Sequence, residues 1–455
     1  MQLMPVTDSM FLLMESREHP MHVGGLQLFS KPDGAGDDYI ESIYRDLLDR
    51  AEIARLFRKR PMSPVNTLGQ AFWVEDDAMD ISYHVRRSAL PTPGRIRELL
   101  ELTSRWHGTL LDRHRPLWET HFVEGLSGNR FAIYTKVHHA VLDGVSALRL
   151  MQNALTDDPS VRDTLTPWEL RPSKKRAKTG GGSLLQRITG LASDFAGFGP
   201  TAVRALTEAA REHSVPLPMQ APRTMFNVSI GGARRFAAQS WPIESFRRIG
   251  KATGTTVNDV VLATCSGALR DYLIEHRALP DAPLTAMVPV SLRSREAAAE
   301  EGGNAIGAIL CDLATNEPDP ARRLARISAS MSGGKKLFAG LSPLQVLLLS
   351  ALNVSPLGLS TIPGVADYTR PAFNLVISNV PGPKGTTYFN GARLEGVYPA
   401  SICLDGQALN ITLTSNNDML DFGITGCRNS VPHLQRMLLH LDTALSELAT
   451  AAGVS

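Results

Sequence analysis

The run Phe131 to His138, FAIYTKVH, ends in a histidine pair, His138-His139, and passes through Ala140 to Asp143-Gly144 into a run with a different period. Phe131, Ile133, Thr135 and Val137 alternate with Ala132, Tyr134, Lys136 and His138, which is the two-residue period of a strand. Beyond Gly144, Val145, Leu148, Met151 and Leu155 recur at helical spacing. A strand, a short loop and a helix in that order commit the segment to a mixed α/β architecture with reactive side chains at the loop. The rest of the chain repeats the mixture. Asn258 to Leu269 has helical spacing, Thr285 to Val290, Asn374 to Val380 and Leu409 to Leu413 read as strands, and Val431 to Leu448 as a closing helix. No repeat at a fixed period argues for a solenoid or propeller.

With 455 residues the chain is too long for one ordinary core, since domains average about 150 residues. The clearest seam is Arg171 to Ser183, RPSKKRAKTGGGS, a basic cluster running into glycines without an apolar period. Read as a linker, it divides residues 1–170, an N-terminal domain carrying the histidine pair, from a C-terminal domain of residues 184–455. The 47 Lys+Arg against 45 Asp+Glu leave a formal charge of +2, too little for a broad field that would attract nucleic acid. Cys265, Cys311, Cys403 and Cys427 form no CxxC pattern, and MQLMPVTDSMFLLMESREHPMH has no basic leader before its short apolar stretch. Both features predict a reducing, cytoplasmic setting.

From Leu337 to Ala366 the chain carries no formal charge, a length that exceeds the roughly 20 residues needed to span a bilayer. Pro343, Pro356 and Pro363 interrupt it, and a lipid-exposed helix broken in this way would leave backbone groups unpaired. The remaining readings are a buried helix over Ser342 to Leu352, an apolar wall for a hydrophobic ligand, and a surface that dips into a membrane interface.

Adjacent residues on a strand face opposite ways, so only one of His138 and His139 serves as a reagent and the other is scaffolding. An imidazole with an ordinary pKa near 6.5 can take a proton from an alcohol or amine at neutral pH, a role open to His139. Asp143 either faces the same site or turns away to fix the loop through a basic partner. His-His-x-x-x-Asp is not a recognisable metal-ligand set, so no metal is expected. There is no Gly-x-Ser-x-Gly turn for a serine hydrolase. Taken alone, the pattern is equally a satisfied histidine pair at a strand end.

HHAVLDG resembles the HHxxxDG signature of the CoA-dependent acyltransferase superfamily, which includes chloramphenicol acetyltransferase and the condensation domains of peptide synthetases. More narrowly, the chain resembles the bacterial wax ester synthase/diacylglycerol acyltransferase family. The resemblance rests on DSMFLLMESREHPMHVGGL, Pro116-Leu117-Trp118, HHAVLDG, TVNDVV, VPVSLR, Gly303-Asn304 and SNVPGP, which follow one another over nearly the whole chain.

That resemblance implies two chloramphenicol-acetyltransferase-like α/β domains with an active-site tunnel at their interface. It implies acyl-CoA as a substrate, with a fatty alcohol or diacylglycerol as acceptor, and no cofactor. His139 would be the general base, deprotonating the acceptor for direct attack on the thioester. Asp143 would pair with an arginine of the other domain, for which Arg293 is the candidate, and Gly144 would keep the turn tight. Asn258 is the candidate donor to the developing oxyanion or, equally, a helix cap, and Asp259 supports it or contacts substrate. Pro116, Leu117 and Trp118 either line the acyl cavity or belong to the core. Asn379, Pro381 and Gly382 form a turn near the channel.

An acyl chain gains about 0.8 kcal/mol per buried methylene, which would give the uncharged stretch a purpose as a tunnel wall. Gly358 and Ser360 would set its bore. The protein would then be cytoplasmic with peripheral contact to the inner membrane or lipid inclusions. Two alternatives stay open: transfer to another acceptor, such as a polyketide-like alcohol, a glycolipid or an amine, and a lipid-binding protein of the same fold without chemistry.

Overall fold

A computed structural model describes residues 2–50, 52–62, 72–170, 216–291, 306–339, 346, 349, 350, 353 and 370–454. The linker 171–183, Arg293, Gly358, Ser360 and all of the expected helix over 342–352 except 346, 349 and 350, which are helical, lie outside the described residues.

In chain order the first half gives β1 (Gln2–Leu3), α1 (Val6–Met14), β2 (His22–Ser30), α2 (Tyr39–Asp49), β3 (Lys59–Met62), β4 (Phe72–Glu75), α3 (Ile81–His84), β5 (Val85–Ala89), α4 (Ile96–His107), β6 (Trp118–Leu126), β7 (Arg130–His138) and α5 (Gly144–Asn153). The second half gives β8 (Arg234–Pro242), α6 (Ile243–Thr253), α7 (Val257–Glu275), β9 (Thr285–Ser291), β10 (Ile306–Asp312), α8 (Pro320–Ala339), β11 (Leu375–Val380), β12 (Tyr388–Phe389), β13 (Ala392–Ala400), β14 (Leu409–Asn416), β15 (Met419–Cys427) and α9 (Arg436–Ala451). The strands expected near 131, 285, 374 and 409 all form, as does the closing helix. That helix begins later than its apolar spacing suggests: Val431 and Leu434 are buried in the turns before α9.

Two six-stranded sheets organise the molecule, one in the order β12-β13-β2-β7-β6-β5 and the other in the order β10-β9-β11-β14-β15-β8. In the first, β13, β2, β7 and β6 run antiparallel and β5 lies parallel to β6. In the second, β11 lies parallel to both β9 and β14. The first sheet is thus completed by β12 and β13, strands from late in the chain, so the sheets do not follow the order of the sequence. A long connection carrying a strand from one half into the other binds the halves together.

Burial along β7 shows why the sequence alternation needed a third dimension. Phe131 to His138 are buried on both faces of this central strand. The polar-looking face is tolerated because its lysine is paired: Lys136 is fully buried, and its Nζ donates to the carbonyls of Trp106 at 3.0 Å and Thr109 at 2.8 Å. In the second sheet, the largest core packs α7 with α8 and α9 around Val260, Leu262, Ile377 and Ile411. The opposite face of that sheet meets β13, and the approach is close: a Cβ on Gly423 would lie 1.9 Å from the carbonyl oxygen of Pro399. Only glycine permits this contact, which seats one sheet against the other. Among the described residues no helix is long and apolar enough to cross a membrane.

Candidate active site

Where the sheets face each other, a cavity of about 240 Å³ opens. Val23 and Gly24 of β2, His139, Asp143, and one face of α5 form one wall. Val376, Ser378 and Val380 of β11 and Thr412 of β14 form the other, and Pro399, Ala400 and Ser401 close it. The odd residues of β11, Leu375 and Ile377, pack into the core behind. Strand alternation therefore decides which side chains see the cavity.

His139 follows the last residue of β7, and its backbone N–H donates to Met21 O at 2.8 Å. Its ring stacks on Phe11 of α1, with centroids 4.2 Å apart. Nδ1 is buried with no partner in another described residue. Burial pushes the imidazole pKa down to about 4, His138 pushes the same way, and the Asp143 carboxylate and the histidine's own main chain oppose them. The ring is neutral at physiological pH.

His138 lies in the opposite environment. It is fully buried, its Nδ1 accepts from the N–H of Ala140 at 3.0 Å, and Nε2 stands 3.2 Å from Oε1 of Glu15 in an ion-pair contact imperfectly aligned for a hydrogen bond. With Nδ1 accepting, the proton sits on Nε2, facing the carboxylate. Glu15 also receives Arg113 Nε at 2.8 Å. Burial alone would raise its pKa, but His138 and Arg113 together hold it below the ordinary carboxylate value. Glu15 and Phe11 were not singled out from the sequence, although both lie in its opening motif; nothing in their spacing shows that a helix before β2 folds over the histidine loop.

Asp143 caps α5: its Oδ1 accepts from Ser146 N at 2.9 Å and its Oδ2 from Ser146 Oγ at 2.8 Å. The expected need for a glycine at position 144 is not met by a positive φ, for Gly144 opens α5 in ordinary helical space. Its missing side chain instead leaves cavity volume, since a Cβ there would meet only Val23 Cγ1, at 3.8 Å.

Of the alternatives the sequence left open, Pro116, Leu117 and Trp118 take the core, Asp259 the supporting role, and Asn258 lies off the cavity. Trp118 is core: Nε1 donates to Phe57 O at 2.9 Å and the ring stacks on His84 and Trp168. Pro116 and Leu117 are buried beside it, and Leu117 O accepts from His138 N at 2.9 Å, so this motif supports the histidine loop through the backbone. Asp259 is buried in a capping box with Thr256 and accepts from Ser328 Oγ at 3.2 Å. Asn258 does not line the cavity; it sits behind β11, with Asn379 Nδ2 donating to its Oδ1 at 3.5 Å. Thr256, not Asn258, holds the cap position of α7. Pro381 is exposed, while Gly382 packs on Ser415, whose Oγ accepts from its N–H at 2.9 Å and whose carbonyl oxygen would lie 1.7 Å from a Cβ.

The polar groups left on the cavity wall opposite His139 are hydroxyls. Thr412 Oγ1 donates to Asn410 at 2.8 Å, whereas Ser378 Oγ bonds to no described residue. Among the described residues no three His, Cys, Asp or Glu side chains converge as a metal site. A neutral imidazole and a hydroxyl facing it across an apolar cavity can remove a proton and donate to a developing oxyanion.

Residues 4–261 match the family described as the wax ester synthase/diacylglycerol acyltransferase catalytic domain, and residues 302–449 its C-terminal domain. The chain is 54% identical over 455 residues, all of both chains, to the Mycobacterium tuberculosis protein named probable diacyglycerol O-acyltransferase tgs2. It is 44% identical over 443 residues, 96% of this chain and 94% of the relative, to the O-acyltransferase WSD of Acinetobacter baylyi. A solved wax ester synthase/diacylglycerol acyltransferase from Marinobacter aquaeolei VT8 superposes with a TM-score of 0.81 at 42% identity over the whole of both chains. The first condensation domain of the calcium-dependent antibiotic synthetase shares the fold, with a TM-score of 0.59 at 18% identity over 99% of this chain and 96% of that one.

Proposed function

The chain belongs to the wax ester synthase/diacylglycerol acyltransferase family, and from that premise we propose that it transfers a long-chain acyl group from acyl-CoA to a fatty alcohol or to diacylglycerol, with His139 as general base. The observation that carries this reading is the neutral His139 imidazole on the wall of an apolar cavity between two sheets. Only Nδ1 of a histidine reaches its own carbonyl, so a proton held there leaves Nε2 to accept the one from the acceptor hydroxyl. The alkoxide oxygen attacks the thioester carbon and the C–S bond breaks as the tetrahedral intermediate collapses. The imidazolium then returns its proton to the departing CoA thiolate. No acyl-enzyme and no cofactor enter the scheme. In this reading Ser378, rather than Asn258, donates to the oxyanion, because Ser378 faces the cavity and Asn258 does not.

Peripheral lipid contact is part of the proposal. Leu3, Met10 and Leu13 are exposed at 57%, 51% and 68% on β1 and α1, the helix whose Phe11 covers His139. Isolated exposed apolar residues need no explanation, but three on the segment that covers a site for apolar substrates suit contact with a lipid surface.

The test is CoA release by purified protein from palmitoyl-CoA with hexadecanol or dioleoylglycerol. Release in the wild type and its near-complete loss in His139→Ala are expected; wild-type turnover in the variant would overturn the mechanism.

A further inference from the structure

We propose that a second, smaller cavity behind Met151 is the pocket for the methyl end of a substrate alkyl chain, with Met151 as the stop that sets its accessible length. The inference rests on the transferase reading above, since it takes the substrate to be a long saturated chain whose reacting end lies at His139.

The small cavity, of about 20 Å³, is bounded by Phe29, Phe122, Ile133, Leu155, Trp168 and Phe389, with the polar Gln27, Thr135 and Thr166 at its margin. Two of those polar groups are committed within the protein: Thr135 Oγ1 is 3.0 Å from Thr120 Oγ1, and Thr166 Oγ1 donates to Glu169 at 2.6 Å. Apart from Gln27, what remains is an apolar lining of the kind that takes hydrocarbon. Its volume suffices for about one water-sized group, so in the present arrangement it admits a chain end and little more.

Met151 lines both this pocket and the catalytic cavity, and among the described residues no other does so. The two cavities lie along α5 and the two residues that follow its last turn, Ala154 being its C-cap and Leu155 lying beyond its end. Gly144, Ala147, Leu148 and Met151 face the catalytic cavity, and Met151, Ala154 and Leu155 face the small one. Gly144, Ala147, Leu148 and Met151 are spaced as one helical stripe that points toward Ala154 and Leu155 at the end of α5. From Gly144 to Met151 the helix rises about 10 Å, so a chain lying along α5 from the histidine loop meets the Met151 thioether before it reaches the pocket. The thioether is seated by Gly25 of β2, where a Cβ would come within 2.9 Å of Sδ. Methionine is suited to the position because its unbranched, flexible side chain can yield without opening a permanent void.

The chain could be the acyl tail or the acceptor alcohol. Both present the same hydrocarbon, and two substrate series distinguish them. Wild type, Met151→Ala, Met151→Phe and the near-isosteric Met151→Leu are compared using octanoyl-CoA through stearoyl-CoA with hexadecanol, and octanol through octadecanol with palmitoyl-CoA. Met151→Ala should raise kcat/KM for the longest chain relative to the shortest, by up to about fourfold per methylene newly accommodated. Met151→Phe should shift the ratio the other way and Met151→Leu should leave it near wild type. The series that moves identifies the chain. Ratios taken within each variant are insensitive to the fraction of protein folded. Folded, active variants with wild-type ratios in both series would overturn the proposal.

A binding measurement keeps it separate from the catalytic reading. Palmitoyl-CoA or hexadecanol brominated at the methyl end should quench a fluorescence component that is missing in Trp168→Phe, and bromination beside the head group should not. Binding of both end-brominated probes without that quenching excludes the pocket, whether or not the protein releases CoA; absence of CoA release with quenching intact refutes the transferase reading alone.

Discussion

His138 and His139 are neighbours in the chain, identical in side chain, and unlike in everything that decides chemistry. His138 accepts at Nδ1 from Ala140, turns Nε2 toward the Glu15 carboxylate 3.2 Å away, and does not line the cavity. His139 faces the cavity, has no partner for Nδ1 in another described residue, and is kept neutral by burial. Partners, not residue type, assign the roles: a histidine that already holds its protons in place can only position the loop, while one with a spare lone pair can accept a proton.

The largest expected effect tests the reagent side. His139→Ala should lower CoA release by about 10²–10⁴, the usual contribution of a general base, with little change in the urea midpoint. A loss confined to stability would reverse the two roles. Next comes the scaffold side. Glu15→Gln leaves Arg113 and His138 without their carboxylate and should cost about 2–3 kcal/mol of stability, read from urea unfolding. Activity per folded molecule should fall less than in His139→Ala; an equal fall would make Glu15 part of the chemistry.

The pH dependence sharpens the same contrast. His139 and His107 hold folded pKa values of about 4, burial being the chief cause for each, and burial lowers His22, His84 and His121 as well. The unfolded imidazoles titrate near 6.5, so as pH falls from about 6.5 toward 4 the unfolded chain takes up protons that the native state refuses, and stability declines. Over that same range kcat/KM should stay flat wherever the protein remains folded, because the base is still unprotonated. An acid limb centred near 6.5 in folded protein would show that His139 is not desolvated. The smallest effect is Gly144→Ala, which should change stability by less than about 1 kcal/mol, since its φ is not positive and the new Cβ meets only Val23. Gly144→Ala as damaging as Gly382→Ala, measured by unfolding, would restore the tight-turn role.

Much of the fold was legible because it rests on local patterns. Phe131 to His138 alternates, Val145 to Leu155 has helical spacing, and Thr256-Val257-Asn258-Asp259 contains the cap that starts α7. Site residues were legible only where the loop itself carries them, as with His139, Asp143 and Gly144. Trp118 shows the limit: its place after Pro116-Leu117 fits a cavity wall or a core, and only the indole bond to Phe57 O and the stack on Trp168 decide for the core. Asn258 failed for a similar reason, since the face of the sheet to which a helix start is docked is not a local property.

By itself the sequence determined that this protein has mixed α and β structure, that a histidine pair ends a strand, and that its formal net charge is only +2. Each of these follows from composition or from a period of two or 3.6 residues. The tertiary structure alone decided that β12 and β13 leave the later half to complete the first sheet, that Glu15 and Phe11 attend different histidines, and that Ser378 rather than Asn258 faces the cavity. These depend on contacts between segments far apart in the chain, whose geometry is set by packing and the pairing of buried polar groups, which no local period encodes.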